Sequence, residues 1–354
     1  MASTRVIGLD IGTGAVRAAE LEFGSGGPSG KNPPTLQRYG EVPLPLGAVR
    51  DGEVAEQAIV AGALKELWSR AKFSTKDVVI GVGNQRVLVR ETELPWMPRE
   101  QLTASLAYHV GDLLPMATND ALLDYCPTAE VDGPTGRMVH GLLVAAQRDT
   151  VNANVLAVEG AGLRPVMVDL NAFALVRALA RGDYASRTVA LVDIGAQVTT
   201  VVVAAHGRPQ LVRMLPVGGH QVTTAVASAL GVAVVEAESI KREIGVGYAV
   251  GPDRAQAAEN IAEVVRQLVE SIRNTFVYYA GAHPGAGVEL VVLTGGGAHL
   301  PGLGQYLSSA SRIAVTLGDP LGGLRAAKSA GRDRLAGRES LIALPVGLAY
   351  GAAA

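Results

Sequence analysis

The stretch "VIGLDIGTGAVRAAEL" (residues 6–21) carries a lone carboxylate, Asp10, inside an apolar run and follows it with a Gly-Thr-Gly turn. A second stretch, "VALVDIGAQVTTVVVAA" (189–205), repeats this arrangement around Asp193. Each stretch predicts a buried strand, a tight turn and a second strand, which together form a β-hairpin. A carboxylate near the end of a buried strand is costly unless another group compensates its charge. The repeated pattern therefore predicts two similar hairpins, each with an acid available for binding.

Length and composition limit the class of protein. The 354 residues are 48% hydrophobic and 18% charged, which suffices for a packed core in two lobes. A net charge of −2 gives no broad basic field, so neither nucleic acid nor a lipid surface is an expected partner. The single cysteine, Cys126, and the lack of a leader-like or membrane-spanning apolar run favour a cytoplasmic location. The six histidines are scattered without zinc spacing, so we expect no transition-metal site.

The order of the predicted elements is that of an α/β protein with two lobes and an insert. Early in the chain, apolar runs and helical periodicity predict strands at 5–11, 14–23 and 77–82, an exposed loop at 24–35 and a helix at 53–70. We expect a first lobe over 1–85, an α+β insert over 86–166, a return to the first lobe over 167–187, a second lobe over 188–335 with a helical part at about 232–285, and a final return to the first lobe over 336–354.

The insert contains a helix after Pro98 with one apolar stripe, formed by Leu102, Leu106, Val110 and Leu113. Periodicity leaves open whether this stripe packs only on the insert's own sheet or also on a partner. Packing on its own sheet is the simpler interpretation.

The glycine turns beside Asp10 and Asp193 suit a phosphate ligand. Small residues there let a polyphosphate approach the backbone N–H groups closely. Hydrated Mg²⁺ prefers one or two carboxylates together with phosphate oxygens, so it would compensate both acids. A third glycine turn, Gly295–Gly297 after "VVLT", leaves a bare backbone on which a flat ring could lie. The three turns in this order are a more specific signal for such a ligand than any one turn alone.

These motifs resemble those of the actin-like ATPase superfamily, which includes the Hsp70 ATPase domains and sugar kinases. The resemblance is carried by "LDIGTG" (9–14) and "LVDIGAQVTT" (191–200) as phosphate motifs, "LTGGGAHLPGL" (293–303) as the adenosine motif, and "AESIKRE" (237–243) as a nucleoside-contacting helix. It implies an actin-like fold with a ribonuclease-H-like mixed sheet in each lobe, and ATP and Mg²⁺ as cofactors.

The resemblance also implies which residues contact the nucleotide: Asp10, Gly12, Thr13, Gly14, Asp193, Gly195, Ala196, Gln197, Gly218, Gly219, Glu238, Lys241, Arg242, Gly295, Gly296 and Gly297. Among these, Asp10 and Asp193 would hold Mg²⁺ through water. For Glu238, Lys241 and Arg242 the alternative is a solvated helix face with ordinary ion pairs.

Catalysis is less well marked than binding. The position at which actin-type ATPases place a water-positioning glutamine corresponds to Asn171, whose side chain is one methylene shorter. Asp193 is the other candidate catalytic residue. The resemblance therefore implies ATP binding with, at most, slow ATPase activity.

Within the superfamily the chain resembles the family of type IV pilus assembly protein PilM. The stretches are "LPWMPREQLTASLAYHVGDLLP" (94–115), "ALLDYCPT" (121–128), "PVMVDLNAFALVRAL" (165–179) and "LPVGGHQVTTAVASALGVAVVEAESIKRE" (215–243). This resemblance implies that the insert is a 1C (SHS2) subdomain of the kind shared with FtsA. It also implies a cytoplasmic scaffold that binds the N-terminal tail of the inner-membrane protein PilN in a groove between first lobe and insert, with homo-oligomerisation an open possibility.

Two alternatives remain at this stage. FtsA, a cell-division relative, carries a membrane-binding amphipathic helix beyond its core, whereas this sequence ends at "LPVGLAYGAAA". We therefore expect any membrane association to come through a protein partner. A small-molecule kinase of the same superfamily would need an aspartate to deprotonate a substrate hydroxyl, and no separate substrate-loop signature is present.

Overall fold

Two mixed β-sheets, one in each lobe, form the scaffold. The computed structural model describes residues 3–30, 32–133 and 136–353. Lys31 of the expected loop at 24–35, and Met1, Ala2 and Ala354 at the ends of the expected first and last segments, lie outside the described residues. The first lobe begins with β1 (Thr4–Ile11), β2 (Ala15–Phe23), β3 (Thr35–Pro43), the short β4 (Val49–Arg50) and β5 (Glu53–Val54), α1 (Gln57–Ala71) and β6 (Asp77–Val82).

Helix α1 begins later than its predicted start at residue 53. The reason is a small hairpin in which Val49 pairs with Val54 and Arg50 with Glu53. Asp51 and Gly52, between the two strands, both have positive φ. Two successive residues of this kind form the turn that closes two-residue hairpins, so the backbone there is incompatible with a helix.

The insert is an antiparallel sheet with one helix on it. Its elements are β7 (Val87–Pro95), α2 (Arg99–Val110), β8 (Ala121–Gly133) and β9 (Gly136–Gln147), and the strand order is β7-β9-β8. The apolar stripe of α2 packs on this sheet, where Leu102, Leu106 and Val110 join Leu143 in one core. Packing on the insert's own sheet therefore accounts for the buried residues of the stripe.

The next elements belong to the first lobe rather than to the insert. They are α3 (Arg148–Gly160), β10 (Arg164–Leu170) and α4 (Asn171–Leu179). Strand β10 pairs in parallel with β6, and α3 packs against α1. The sheet of the insert thus ends at Gln147, and the expected boundary at residue 166 is too late. Sequence periodicity marks a strand but does not say which sheet it joins.

The second lobe contains β11 (Thr188–Ile194), β12 (Thr199–Ala205), β13 (Arg208–Leu215), α5 (Gly219–Leu230), α6 (Val234–Ile244), α7 (Ala255–Ala282), β14 (Leu290–Thr294), α8 (Leu303–Ser311) and β15 (Ala314–Leu317). The chain then returns through β16 (Arg325–Ala326) and α9 (Ala343–Gly351). Because β16 pairs with β3, the return to the first lobe begins before the expected residue 336.

The two sheets share one topology. The order is β3-β2-β1-β6-β10 in the first, with β16 added outside β3, and β13-β12-β11-β14-β15 in the second. In each sheet three antiparallel strands are followed by two parallel ones. Both aspartate strands are central and largely inaccessible to solvent, as Ile7, Leu9 and Val192 illustrate. The predicted α/β architecture with two lobes is confirmed.

The chain crosses between the lobes twice, at 180–187 and at 318–324. The crossings are adjacent, because a Cβ on Gly318 would lie 3.0 Å from the side chain of Leu179. In the part of the chain that the structure describes, no single helix is both long and apolar enough to cross a bilayer. Helices α5 and α6 pass that test of length and composition only as a pair, and they meet at a bend of 101°.

Candidate functional site

Two equivalent turns, one from each lobe, meet at the cleft. After Asp10 the N–H of Gly12 donates to the carbonyl of Ala15 at 3.0 Å, and after Asp193 the N–H of Gly195 donates to the carbonyl of Val198 at 3.0 Å. The tips touch, because the Thr13 hydroxyl donates a long hydrogen bond of 3.5 Å to Oε1 of Gln197. The two predicted phosphate motifs therefore lie opposite each other.

Asp10 is buried and Asp193 is half-buried, and the pKa of each carboxyl is raised. Burial raises the pKa of Asp10 to about 6, although the Arg17 guanidinium opposes this shift. Burial also raises the pKa of Asp193 to about 7, and the charge of Asp10 adds to that shift. The contact between the tips of the two turns places these acids on facing elements of the cleft.

Arg17 is a residue of the site that motif matching missed. Its Nη1 lies 3.9 Å from Oδ2 of Asp10, and its Nη2 lies 3.1 Å from Oε1 of Glu41. Its Nε is buried without a hydrogen-bond partner. Arg17 pairs with Asp10 across the β1–β2 hairpin, so the register of that hairpin was the available signal. Arg17 compensates the first acid while the second has no cation of its own within ion-pair distance among the described side chains.

The donor set fits hydrated Mg²⁺. Magnesium usually takes one or two carboxylates and completes its shell with water and phosphate oxygens. Within the described residues, no group of three or more His, Cys, Asp or Glu side chains is arranged around a metal position. Asp10 and Asp193 would thus supply the carboxylate oxygens, and acids with raised pKa values gain most from a cation.

The Gly-Gly turn at the start of α5 packs on the turn that follows Asp193, which is the second of the two predicted phosphate turns. The N–H groups of Gly219 and His220 donate to the carbonyls of Gly195 and Ala196 at 2.9 and 2.7 Å. A Cβ on Gly218 would lie 2.4 Å from the Gly195 carbonyl oxygen, so a larger residue would separate the two turns. This contact positions the backbone of the second phosphate turn.

Lys241 and Glu238 lie beside that turn but interact mainly with the protein. The buried Lys241 Nζ donates to the Gly219 carbonyl at 3.2 Å, to the Thr223 hydroxyl at 2.9 Å and to Glu238 Oε2 at 2.6 Å. Burial opposes ionisation of Glu238, but its hydrogen bonds with Lys241 and Thr223 lower its pKa overall. The three hydrogen bonds of Lys241 use all of its ammonium protons. Arg242 is exposed and pairs with Glu238 at 3.0 Å, so direct nucleoside contact stays a prediction for all three.

The third glycine turn has one constrained side and one open side. Gly295 has φ +81, and a Cβ there would lie 2.6 Å from Oδ1 of Asp193. A Cβ on Gly297 would lie 2.4 Å from Cγ2 of Ile194. Gly296 has no atom within 4 Å of its Cβ position and faces open space. The turn thus packs against Asp193 through Gly295, and its middle glycine, Gly296, has room for a side chain.

Asn171 stands apart from the two turns. It is the first residue of α4, and its side chain lies against Gly81 and Gly83, where a Cβ would meet it at 1.9 and 2.9 Å. Its Oδ1 is buried without a partner. Such an oxygen can accept a hydrogen bond from water, which is what a water-positioning role requires. The role itself remains a prediction.

Comparison with known proteins agrees with the geometry. The profile of the family described as "Type IV pilus assembly protein PilM" matches residues 8–352. A solved PilM-PilN type IV pilus biogenesis complex is similar with a TM-score of 0.83 and 26% identity, over 98% of this chain and 98% of that chain. MreB5 of Spiroplasma citri bound to ADP has a TM-score of 0.54 at 14% identity, over 97% and 94% of the two chains, and shows the shared fold alone. The expected actin-like ATPase fold is confirmed.

Curated relatives of lower coverage are cell-division proteins. FtsA of Bacillus subtilis (strain 168) is 27% identical over 191 residues, which is 47% of this chain and 41% of FtsA. FtsA of Escherichia coli (strain K12) is 27% identical over 209 residues, which is 51% of this chain and 48% of FtsA. The match thus spans less than half the length of these two relatives.

The raised pKa of Asp193 predicts a pH-dependent stability. The folded protein binds more protons than the unfolded chain between pH 4 and 7, because the pKa of Asp193 is higher in the folded state. The stability that protonated Asp193 contributes is therefore fully present below pH 4 and is lost as pH rises through 7. We expect Asp193→Asn to raise the free energy of unfolding of the ligand-free protein at pH 8, by at most roughly 4 kcal/mol at about 1.4 kcal/mol per pKa unit. The gain should shrink toward zero by pH 4.

Urea unfolding of both proteins across this pH range measures the difference directly. A gain of the same size at pH 5 and pH 8 would contradict the assignment of the raised pKa to Asp193. Asp253→Asn, an exposed acid, serves as the control and should leave the profile unchanged.

Proposed function

Because the chain belongs to the family of type IV pilus assembly protein PilM, we propose that it is an ATP-binding scaffold of type IV pilus assembly. In this role it holds nucleotide between its lobes and binds the cytoplasmic tail of a PilN-like inner-membrane protein. Nucleotide acts by favouring one arrangement of the lobes over another. The protein is then cytoplasmic and reaches the inner membrane through that partner.

The observation that supports nucleotide binding best is the contact of two equivalent acidic turns across one cleft. A triphosphate between these turns would receive backbone N–H groups from both lobes. Asp10 and Asp193 would hold a hydrated Mg²⁺ that neutralises the phosphate charge, and Arg17 would keep Asp10 ionised. Gly296 would lie against the base. Each lobe supplies half of the site, so ligand binding draws the lobes together.

Hydrolysis is not needed for this function. Asn171 is the candidate for orienting water, and Asp193 is the candidate acid beside the phosphates. The shorter amide of Asn171 favours slow turnover, because positioning of the attacking water dominates phosphoryl transfer to water. We propose at most a slow ATPase, in which hydrolysis of the nucleotide returns the lobes to their previous arrangement.

A groove between first lobe and insert is the proposed peptide site. One cavity of about 500 Å³ is lined by residues of β4, β5 and the β6–β7 connection, including Arg50, Glu53 and Arg86. A second cavity of about 280 Å³ is lined by Gln85–Leu88, Pro115, Met116 and Gln147. Gln85 and Arg86 line both cavities, and the two cavities together are named here the lobe–insert groove. Its proposed occupant is the PilN-like tail, by analogy with the PilM-PilN complex.

An FtsA-like role in cell division is the second candidate, and the partial matches to FtsA are the observation behind it. It predicts a different peptide partner, the C-terminal tail of FtsZ. A kinase of the same superfamily is a third, and it would phosphorylate a metabolite with labelled ATP. The nucleotide site is common to all three, so the partner decides among them.

Removal of either acid should weaken Mg²⁺-dependent nucleotide binding. We expect Asp10→Asn and Asp193→Asn each to raise the dissociation constant for Mg-ATP at least about tenfold in calorimetry, because each removes a charge that attracts the metal. Binding of ATP in EDTA should change little. Asp253→Asn is the matched control. Unaltered Mg-ATP affinity in both variants would refute the site.

Gly296→Val should block the nucleotide while leaving the fold intact. The added side chain meets nothing within 4 Å in the protein and projects into the space proposed for the base. Gly297→Val is the contrasting change, since its Cβ would overlap Ile194 and lower the melting temperature. If Gly296→Val bound Mg-ATP like the parent, the base would lie elsewhere.

The partner is tested by pull-down with two synthetic peptides, the N-terminal tail of the PilN-like protein and the C-terminal tail of FtsZ. We expect at least about tenfold tighter binding of the PilN-type peptide. Met116→Lys, in the groove wall, should abolish its binding, whereas Tyr108→Lys on the 88% exposed position of α2 should not. Preference for the FtsZ peptide would favour the cell-division role.

A further inference from the structure

The small hairpin formed by β4 and β5 touches both the nucleotide cleft and the lobe–insert groove. At its tip, the N–H of Asp51 donates to Oε1 of Gln197 at 2.9 Å. The same oxygen accepts the hydroxyl of Thr13. Gln197 lies in the phosphate turn of the second lobe, so this bond ties the tip of a first-lobe hairpin to the opposite lobe.

The tip has little freedom to adjust. Asp51 has φ +51 and Gly52 has φ +80, which is the backbone of a tight two-residue turn. A Cβ on Gly52 would lie 2.9 Å from Cβ of Asn84. The tip is therefore held between Gln197 on one side and Asn84 on the other. A displacement of Gln197 must move the hairpin as a unit or break the Asp51 bond.

The base of the hairpin is joined to the start of the insert. Glu53 accepts from Arg86 Nη1 at 3.1 Å through Oε2 and from the Thr150 hydroxyl at 2.9 Å through Oε1. The N–H of Val54 donates to Oδ1 of Asn154 at 3.3 Å. Glu53, Val54 and Arg86 all line the first cavity of the groove. Movement of the hairpin therefore changes the shape and charge of the groove wall.

We propose that the β4–β5 hairpin couples nucleotide occupancy of the cleft to peptide affinity of the lobe–insert groove. This inference rests on the proposed function and concerns how its two sites communicate. With the Asp51–Gln197 bond formed, the groove is an open cavity. Nucleotide, which draws the two turns together, favours the arrangement with that bond. Mg-nucleotide therefore tightens peptide binding, and the peptide tightens nucleotide binding by the same factor.

The physical basis is a two-state contact at the tip of the hairpin. The bond between Asp51 and Gln197 is either formed or broken, and both ligands favour the state in which it is formed. This bond joins the backbone of the first lobe to a side chain of the second, so its formation depends directly on how close the two lobes are. The Glu53–Arg86 pair carries the change from the hairpin to the first residues of the insert.

The test measures affinity of the PilN-type tail peptide with and without Mg-AMPPNP. We expect Mg-AMPPNP to tighten peptide binding about fivefold or more in the parent protein, the range typical of coupled sites. In Gly52→Ala this ratio should fall below about twofold, because the added Cβ displaces the tip from Asn84. Each ligand alone should bind the variant within about threefold of the parent, since Gly52 lines neither site.

Gly162→Ala is the matched control. Gly162 also has a positive φ of +76, but no atom lies within 4 Å of its Cβ position. It carries the same backbone strain outside the hairpin and should retain the full ratio. Glu53→Gln severs the base of the hairpin and provides a second test if Gly52→Ala fails to fold.

The outcomes separate the two proposals. A parent protein that binds both ligands without coupling, or a full ratio in both Gly52→Ala and Glu53→Gln, overturns the hairpin's role and leaves the proposed function standing. Failure of the parent to bind the peptide contradicts the proposed partner instead. Hydrogen exchange then decides the inference: protection of 49–54 and 84–88 by Mg-AMPPNP supports it, and unchanged exchange overturns it. Failure to bind nucleotide refutes both.

Discussion

The contact between two equivalent acidic turns, one from each lobe, is the interaction on which the candidate site depends. Asp10 and Asp193 come from corresponding strands of two sheets with the same strand order, and each acid is followed by the same closed turn. Arg17 balances Asp10 only in part, at 3.9 Å, and it is shared with Glu41. A cleft of this kind is stabilised by a bound cation and an anionic ligand, which gives the two lobes a reason to close.

The polar groups around the second turn have a supporting role. Lys241 donates all of its ammonium protons to neighbours, one of which is the backbone of the Gly-Gly turn. That turn in turn donates to the carbonyls of the phosphate turn. A buried ammonium with complete hydrogen bonding fixes a local geometry well, because every alternative leaves a charge unpaired. Helix α6, which carries Lys241, thus supports the turn after Asp193 through the Gly-Gly turn.

The sequence predicted the two repeated β-hairpins, but it did not predict which sheet every strand joins. Apolar runs around Asp10 and Asp193 predicted both hairpins, since strand–turn–strand patterns are local. The pairing of Arg164–Leu170 with β6 was not predictable from periodicity, because partner choice depends on packing of distant segments. The predicted helix at 53–70 overlapped the second strand of the hairpin at 49–54, although Asp51-Gly52 is a recognised turn dipeptide. In the site, motifs indicated the glycine turns, whereas Arg17 required the register of β1 against β2.

The adjacency of the two interlobe crossings has a mechanical consequence. Leu179 ends the last helix before one crossing, and Gly318 begins the other, and the two are in contact range. Covalent links that pass through one small region let two rigid bodies swing about an axis through that region, while sliding and wide separation would stretch the backbone. We therefore expect any opening of the lobes to be a rotation about this region, with its largest amplitude at the rim farthest from Gly318.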